Sequence, residues 1–422
     1  MAENLAFKIY KTILRVILEV FSFFPERISE HEEVILRKGL VPDGFLPHPK
    51  GMIWLHGASV GEVQTLMPFI RLLNDKYGRE RLVTTATTID GLKLLQKSET
   101  SAFSSLLPFD LPEYYNFFIE KIKPSLLLIS ETEIWPMLLH YAAKKNIPAG
   151  LINARINTKS VRMMSMFKGL FRPVLKELSF VFPQNNNYYR RFKILGVPEE
   201  KMKIMGSFKY DAISDDACPE AFREKYAIPQ ERPIICFGST HPGEEEIIAA
   251  ALKEILKYHP ELIAIVAVRH LRRIHEAEKT FSDYQIPYQK ASERKEITEP
   301  LFLLDTIGEL KSAYATSSLA FVGGSLIERG GHNIMEPALF AKPVVTGPSL
   351  FNFASERRTL SKDKALFIVH DELELAALIK DSLQNPQVYK EAGKRGAAAL
   401  KKMRGASLAT FEELENCGYL EL

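Results

Sequence analysis

Several short strings in this chain place reactive side chains just after an apolar run. In Trp54-Leu55-His56-Gly57-Ala58-Ser59-Val60-Gly61-Glu62, a buried strand is expected to end at a small-residue turn, with a helix beginning near Val60. Ser59 and Gly61 let backbone N–H groups approach an anion at a helix N-terminus. Glu62, in the first turn, is placed to take a proton from an attacking hydroxyl; the structural alternative is a carboxylate that only complements the helix dipole. Ser130-Glu131-Thr132-Glu133-Ile134-Trp135-Pro136 repeats the arrangement, and Pro136 suits the opening turn of a helix. Glu131 is then either a partner of the reacting group or a helix cap.

The second half carries three more such strings. Gly238-Ser239-Thr240-His241-Pro242-Gly243-Glu244 offers hydroxyls and N–H groups to a phosphate, or caps a helix. Arg269 and His270 follow the apolar run LIAIVAV, where a guanidinium reaches a phosphate or forms a surface ion pair. The longest string runs from Phe321 through Gly323-Gly324 and Gly330-Gly331 to Asn333-Ile334-Met335-Glu336. Its four glycines allow two close backbone approaches, the helix expected near Asn333 faces a phosphate, and Glu336 is suited to accept both hydroxyls of a ribose.

The elements that must position these groups are legible as periodicity. GMIWLHGAS, RLVTTAT, SLLLIS, PAGLIN and SFVFPQN read as strands, then RPIICFGST, LIAIVAVRH, PLFLLD, SLAFVGGS, PVVTG and ALFIV. Helical patterns lie between them, which implies parallel sheets buried on both faces. The polar stretch from Val197 to Glu220 interrupts the series. The expected organisation is an N-terminal helix over 1–25, one Rossmann-like domain over 26–210 and a second over 211–422, the final helix able to cross back to the first. Ligands are expected at the carboxyl ends of the strands, in a cleft that the two domains face.

Composition narrows the function. The 422 residues hold 46% hydrophobic and 25% charged side chains, as a globular chain does. Lys and Arg number 55 against 52 Asp and Glu, so no global field marks a nucleic-acid binder. Three scattered cysteines argue against a disulfide framework or a zinc site. There is no GxGxxG after the first strand of either half, no P-loop and no HExxH, which disfavours hydride transfer, P-loop chemistry and a catalytic zinc; no metal and no cofactor is expected.

Two segments point to a membrane surface. Residues 5–24 are rich in Leu, Ile, Val and Phe, with Lys8, Lys11, Arg15 and Glu19 spaced to share one helical face. Four charges suit a helix lying among lipid headgroups better than one spanning the bilayer. The alternative is a helix packed on the protein's own core. Between Arg155 and Lys209, twelve Lys and Arg stand against three acids, interleaved with Met and Phe. Such a surface suits an anionic amphiphile, though a solvated helix face has the same composition.

The strings HGASVGE, SETEIWP, NARI, GSFKYD, GSTHPGEE, RH, GGSLIERGGHNIMEPA and GPSLFNF, in this order over roughly residues 50–355, resemble the lipid A Kdo (3-deoxy-D-manno-octulosonic acid) transferases. The resemblance implies a GT-B glycosyltransferase of two Rossmann-like domains at the cytoplasmic side of a Gram-negative inner membrane. It implies CMP-Kdo as donor substrate, the phosphorylated disaccharide lipid IVA as acceptor, and inversion at the anomeric carbon in lipopolysaccharide biosynthesis. The family's base falls on Glu62, its transition-state acid on Glu131 and a supporting lysine on Lys209. Its CMP contacts fall on Arg269 and His270, on Ile307-Gly308-Glu309-Leu310, and on Asn333 through Glu336. A spanning anchor should be less charged than residues 5–24.

Other functions suit the same architecture, since fold alone does not fix chemistry. A sugar-nucleotide epimerase needs no lipid acceptor. A transferase of another nucleotide sugar differs in which nucleotide competes, and a nucleotide-dependent membrane adaptor binds without turnover.

Overall fold

The computed structural model describes residues 5–22, 31–293 and 296–421. The chain forms two compact units, residues 1–212 with 403–422, and residues 213–402. Residues 403–422, the end of the expected second domain, thus belong to the first unit. The reason is apolar packing: Ala406, Phe411 and Leu414 share a core with Phe69 and Phe208.

The first unit is built on six parallel strands: β1 (Met52–His56), β2 (Leu82–Ala86), β3 (Phe103–Leu106), β4 (Pro124–Ser130), β5 (Ala149–Ala154) and β6 (Phe180–Pro183). Their order is β3-β2-β1-β4-β5-β6. β1 is central, with Trp54 opposite Val83 on one side and Leu127 on the other. It is buried along its whole length, as its unbroken apolar run requires. The order reverses between β1 and β4, so the loops after these two strands diverge and open a crevice at their carboxyl ends.

The second unit holds seven parallel strands: β7 (Ile234–Thr240), β8 (Ile263–Val268), β9 (Tyr288–Lys290), β10 (Leu301–Leu303), β11 (Leu319–Val322), β12 (Val344–Thr346) and β13 (Leu366–Ile368). Their order is β13-β12-β11-β7-β8-β10-β9, with the reversal between β7 and β11. Both units are therefore Rossmann-like α/β domains.

The N-terminal helix, Leu5–Ser22, has three faces rather than the expected two. Phe7, fully buried, Ala6 and Tyr10 pack on the first unit's core, so the helix is part of that domain and not a separate segment. Tyr10 donates to Asp110 at 2.7 Å. Arg15, expected to face lipid, forms a two-pronged pair with Glu113 at 3.1 and 3.0 Å. Leu5, Ile9, Ile13, Val16, Ile17 and Val20 stay exposed. By helical geometry these six share an arc of roughly 120°. Among the described residues, no helix is long and apolar enough to cross a membrane. Pro25, the expected helix stop, lies outside the described residues.

Candidate functional site

β1 and β4 deliver Glu62 and Glu131 to the switch point of the first unit. Ser59 caps the helix Val60–Tyr77, its hydroxyl accepting the N–H of Glu62 at 3.5 Å. Glu62 turns back so that Oε2 accepts the N–H of Ala58 at 2.9 Å. Part of the turn's anion-binding capacity is thus used internally, while Gly61 stays exposed with open space above it. Burial pushes the Glu62 carboxyl up to about 7; the like charges of Glu131 and Glu133 add to this, and the Ala58 bond and Arg155 oppose it. A carboxylate tuned to neutral pH is suited to general-base work. Dipole complementation alone gives no reason for such burial.

Glu131 does not cap the following helix. It sits at φ +58°, nearly buried, and its carboxylate pairs with Arg155, which follows β5. Burial raises its pKa against the pull of Arg155. The helix Pro136–Lys144 is capped instead by buried Asp110, which accepts the N–H groups of Met137 and Leu138 at 3.1 and 3.0 Å. Glu133 accepts from the Trp135 indole at 3.0 Å and lies 3.7 Å from His56 Nε2. Burial would raise its carboxyl, but His56, Trp135 and Thr87 outweigh that and hold it below its ordinary value. Sequence reasoning did not assign roles to Glu133 and Arg155. The place of Arg155, two residues after Asn153 at a strand end, was the available signal. Lys209 follows Phe208, whose N–H donates to Asn153 at 3.1 Å and so ties the lysine's turn to the carboxyl end of β5.

In the second unit, the expected phosphate cradle is occupied by the protein itself. Glu244, fully buried, accepts the N–H groups of Gly324 at 2.7 Å and of Ser325 and Leu326 at 3.0 Å, and that of His241 at 3.1 Å. Gly324 therefore has no N–H to offer a ligand. Gly323 donates to Gly238 at 2.8 Å, and a Cβ there would meet the Ser239 carbonyl oxygen at 2.4 Å. These glycines are needed because two loops cross, not because a phosphate approaches.

What remains open at this switch point is cationic. Arg269 and His270 are exposed at the end of β8, with the Arg269 N–H tied to Thr240 at 3.0 Å. The rings of His241 and His332 stack with Nε2 atoms 2.8 Å apart. Burial, together with the neighbouring His and Arg charges, lowers both, His332 to about 4, so at neutral pH one ring donates to the other. Glu336 lies in the first turn of the short helix Met335–Leu339 and accepts from Asn333 at 3.3 Å. Burial raises its carboxyl against the pull of Lys311, Asn333 and Arg269.

Other expected contacts divide. Ile334 and Met335, both expected as CMP contacts, are fully buried, so neither presents surface to a ligand. The helix expected near Asn333 begins at Met335 because the Asn333 side chain accepts the Met335 N–H at 3.2 Å. Glu309 is already held by Lys225 at 2.6 Å and Tyr226 at 2.9 Å. Ile307 is almost wholly exposed, Gly308 turns at φ +90°, and Leu310 begins the next helix. Among the described residues, no group of three or more His, Cys, Asp or Glu side chains is arranged to hold a metal ion.

Two Rossmann-like domains, each gathering polar side chains at its switch point, define an α/β enzyme architecture shared by many activities. Residues 26–212 match the family model of 3-deoxy-D-manno-octulosonic-acid transferase (kdotransferase). The chain is 32% identical over 375 residues to the 3-deoxy-D-manno-octulosonic acid transferase of Haemophilus influenzae, covering 88% of each chain. It is 27% identical over 377 residues to that of Chlamydophila psittaci, covering 88% of this chain and 86% of the relative. The chain belongs to the 3-deoxy-D-manno-octulosonic acid (Kdo) transferase family and is a glycosyltransferase. In fold alone it is similar to UDP-GlcNAc 2-epimerase from Neisseria meningitidis, at 14% identity with a TM-score of 0.59, over 87% of this chain and 100% of that one.

Proposed function

We propose that this protein transfers Kdo from CMP-Kdo to lipid IVA, with inversion, at the cytoplasmic face of an inner membrane in lipopolysaccharide biosynthesis. The observation that carries this reading is Glu62. In a chain of this family, a half-buried carboxyl at the end of β1 is pushed up to about 7, so it is poised to gain and lose a proton at neutral pH. Glu62 takes the proton of the acceptor hydroxyl while its oxygen bonds to the anomeric carbon of Kdo. The bond from that carbon to the phosphate oxygen breaks on the opposite face, and CMP departs with the electron pair. In-line displacement of this kind inverts the centre.

Departing CMP gains negative charge, which Arg269 and His270 are fitted to stabilise, while Lys209 supports the transition state. Glu131, held by Arg155, supports the transition state from beside the base. Glu336, Asn333 and the segment Ile307–Leu310 hold the nucleoside, Glu309 through its backbone. Ser59 and Gly61 shape the turn that positions Glu62. No step calls for a metal or a cofactor.

The apolar outer arc of the N-terminal helix supports peripheral docking, because a helix with its basic face partly paired and its apolar face bare is suited to a lipid surface. Met166 and Phe167, in the basic segment, are exposed apolar side chains as well. The test is to incubate the purified protein with CMP-Kdo and lipid IVA and weigh the lipid. A mass gain of one or more Kdo residues supports the reading and counts the additions; an unchanged lipid, with CMP-Kdo intact, refutes it.

A further inference from the structure

Beside the carboxylate cluster of the first unit lies a cavity of about 400 Å³, within the range of small-ligand pockets at about 300–1,000 Å³. Its walls include Leu14, Ile17 and Leu18 of the N-terminal helix, Val34, Leu107 and Trp135. We propose that this cavity receives one acyl chain of the lipid acceptor, and that the chain thereby helps to position the acceptor sugar at Glu62. The inference rests on the reading of the protein as a Kdo transferase with a lipid acceptor.

Three observations carry it. The first is the wall itself. Asp110 and Glu33 lie on the lining, but the Asp110 oxygens are already taken by Tyr10, Met137 and Leu138, and Glu33 is paired with the Arg37 guanidinium at 3.0 and 2.9 Å. An apolar occupant therefore strands no carboxylate, and it removes its own surface from water.

The second is the mouth. Ile17 lines the cavity and is also 42% exposed, as part of the bare apolar arc of its helix. A chain leaving a lipid surface on which that arc lies would pass from one apolar environment into another.

The third is the connection to the chemistry. The Trp135 ring lines the cavity while its indole N–H donates to Glu133 at 3.0 Å. Arg37, also on the wall, donates to the carbonyl of Thr87, whose hydroxyl lies 3.5 Å from Glu133. Glu133 in turn adds to the charge felt by Glu62. A chain in the cavity is thus separated from the carboxylate cluster by one indole. This proximity singles out a chain of the acceptor over one of a bulk membrane lipid.

The test uses the full chain with two photoreactive probes, lipid IVA and phosphatidylglycerol, each bearing a diazirine near the end of one acyl chain. The acceptor probe is expected to label peptides containing residues 14–18, 33–37 or 107–111. Wild type should favour acylated over deacylated acceptor in KM by about tenfold or more, the contribution of about two buried methylenes. Leu18→Trp, which fills the cavity from a half-buried position, should erase that preference and the labelling, with circular dichroism checking that the fold is kept. Labelling confined to the outer arc, equal labelling of the cavity by phosphatidylglycerol, no chain preference in wild type, or a preference that survives Leu18→Trp would each overturn the inference. Failure of wild type to transfer Kdo to either acceptor would instead refute the parent reading.

Discussion

Glu62 and Ala58 close a ring at the end of β1: the carboxylate accepts the N–H of the residue four positions earlier, at 2.9 Å. The bond fixes the base in place, yet burial still pushes its carboxyl up to about 7. A base works only when deprotonated, so kcat/KM should rise with pH through an acid limb near 7. Glu133→Gln removes one of the like charges that raise Glu62 and should move that limb to lower pH. A pH–rate profile of both proteins checks this, and a limb unmoved by the substitution would count against it.

The same shift has a stability sign. Glu62 is raised above its ordinary value of 4.5, so the folded state holds the proton more tightly than the unfolded state. Its contribution is therefore present at low pH and is lost as pH rises between about 4.5 and 7. Glu62→Gln should abolish transfer and also melt a few degrees higher than wild type at pH 8, but not at pH 4.5. Calorimetry at the two pH values decides it.

Glu244 accepts four backbone N–H groups with two oxygens. Glu244→Ala should cost about 3 kcal/mol or more, since four buried donors lose their acceptor. Glu244→Gln should also destabilise, because its amide NH2 would face donors. Chemical denaturation of the variants, followed by far-UV circular dichroism, measures the loss; a wild-type midpoint for Glu244→Gln would contradict the account.

Arg269 is exposed at the end of β8, where truncation leaves no hole. Arg269→Ala should weaken CMP binding by about tenfold to a hundredfold, the worth of a charge-assisted contact to phosphate. Calorimetric titration with CMP at two salt concentrations reads this, with the wild type losing more affinity to salt than the variant.

Ile9 and Val16 lie on the bare arc of the N-terminal helix. The double substitution Ile9→Glu with Val16→Glu should abolish co-sedimentation with anionic vesicles and leave the melting temperature unchanged, because neither side chain is in the core. Full retention on vesicles would show that another surface does the docking.

Most of the sheet framework was legible because buried parallel strands are written as unbroken apolar runs. The two strands that escaped, β3 and β9, are edge strands. Each is short, half of its positions or more lie only partly buried, and its composition is correspondingly mixed. Glu62 and Glu131 were legible as acids at strand ends. What sequence does not carry is the partner: whether Glu131 caps a helix or meets Arg155 depends on a third strand bringing the arginine alongside. The part played by Glu244 was not legible for a related reason. A first-turn acid looks the same whether it faces solvent or reaches eighty residues along the chain to fill a cradle that glycine spacing seems to reserve for phosphate.

The return of residues 403–422 to the first unit sets an order of events at the ribosome. Folding can begin as soon as β6 emerges, but Phe69 and Phe208 lack their last neighbours until the whole intervening unit has been synthesised. At a typical 5–20 residues per second, the gap of about 190 residues keeps that apolar patch open for roughly ten to forty seconds. A nascent chain of this kind has need of a chaperone during that interval, and a fragment cut after Ala212 would keep the need for good.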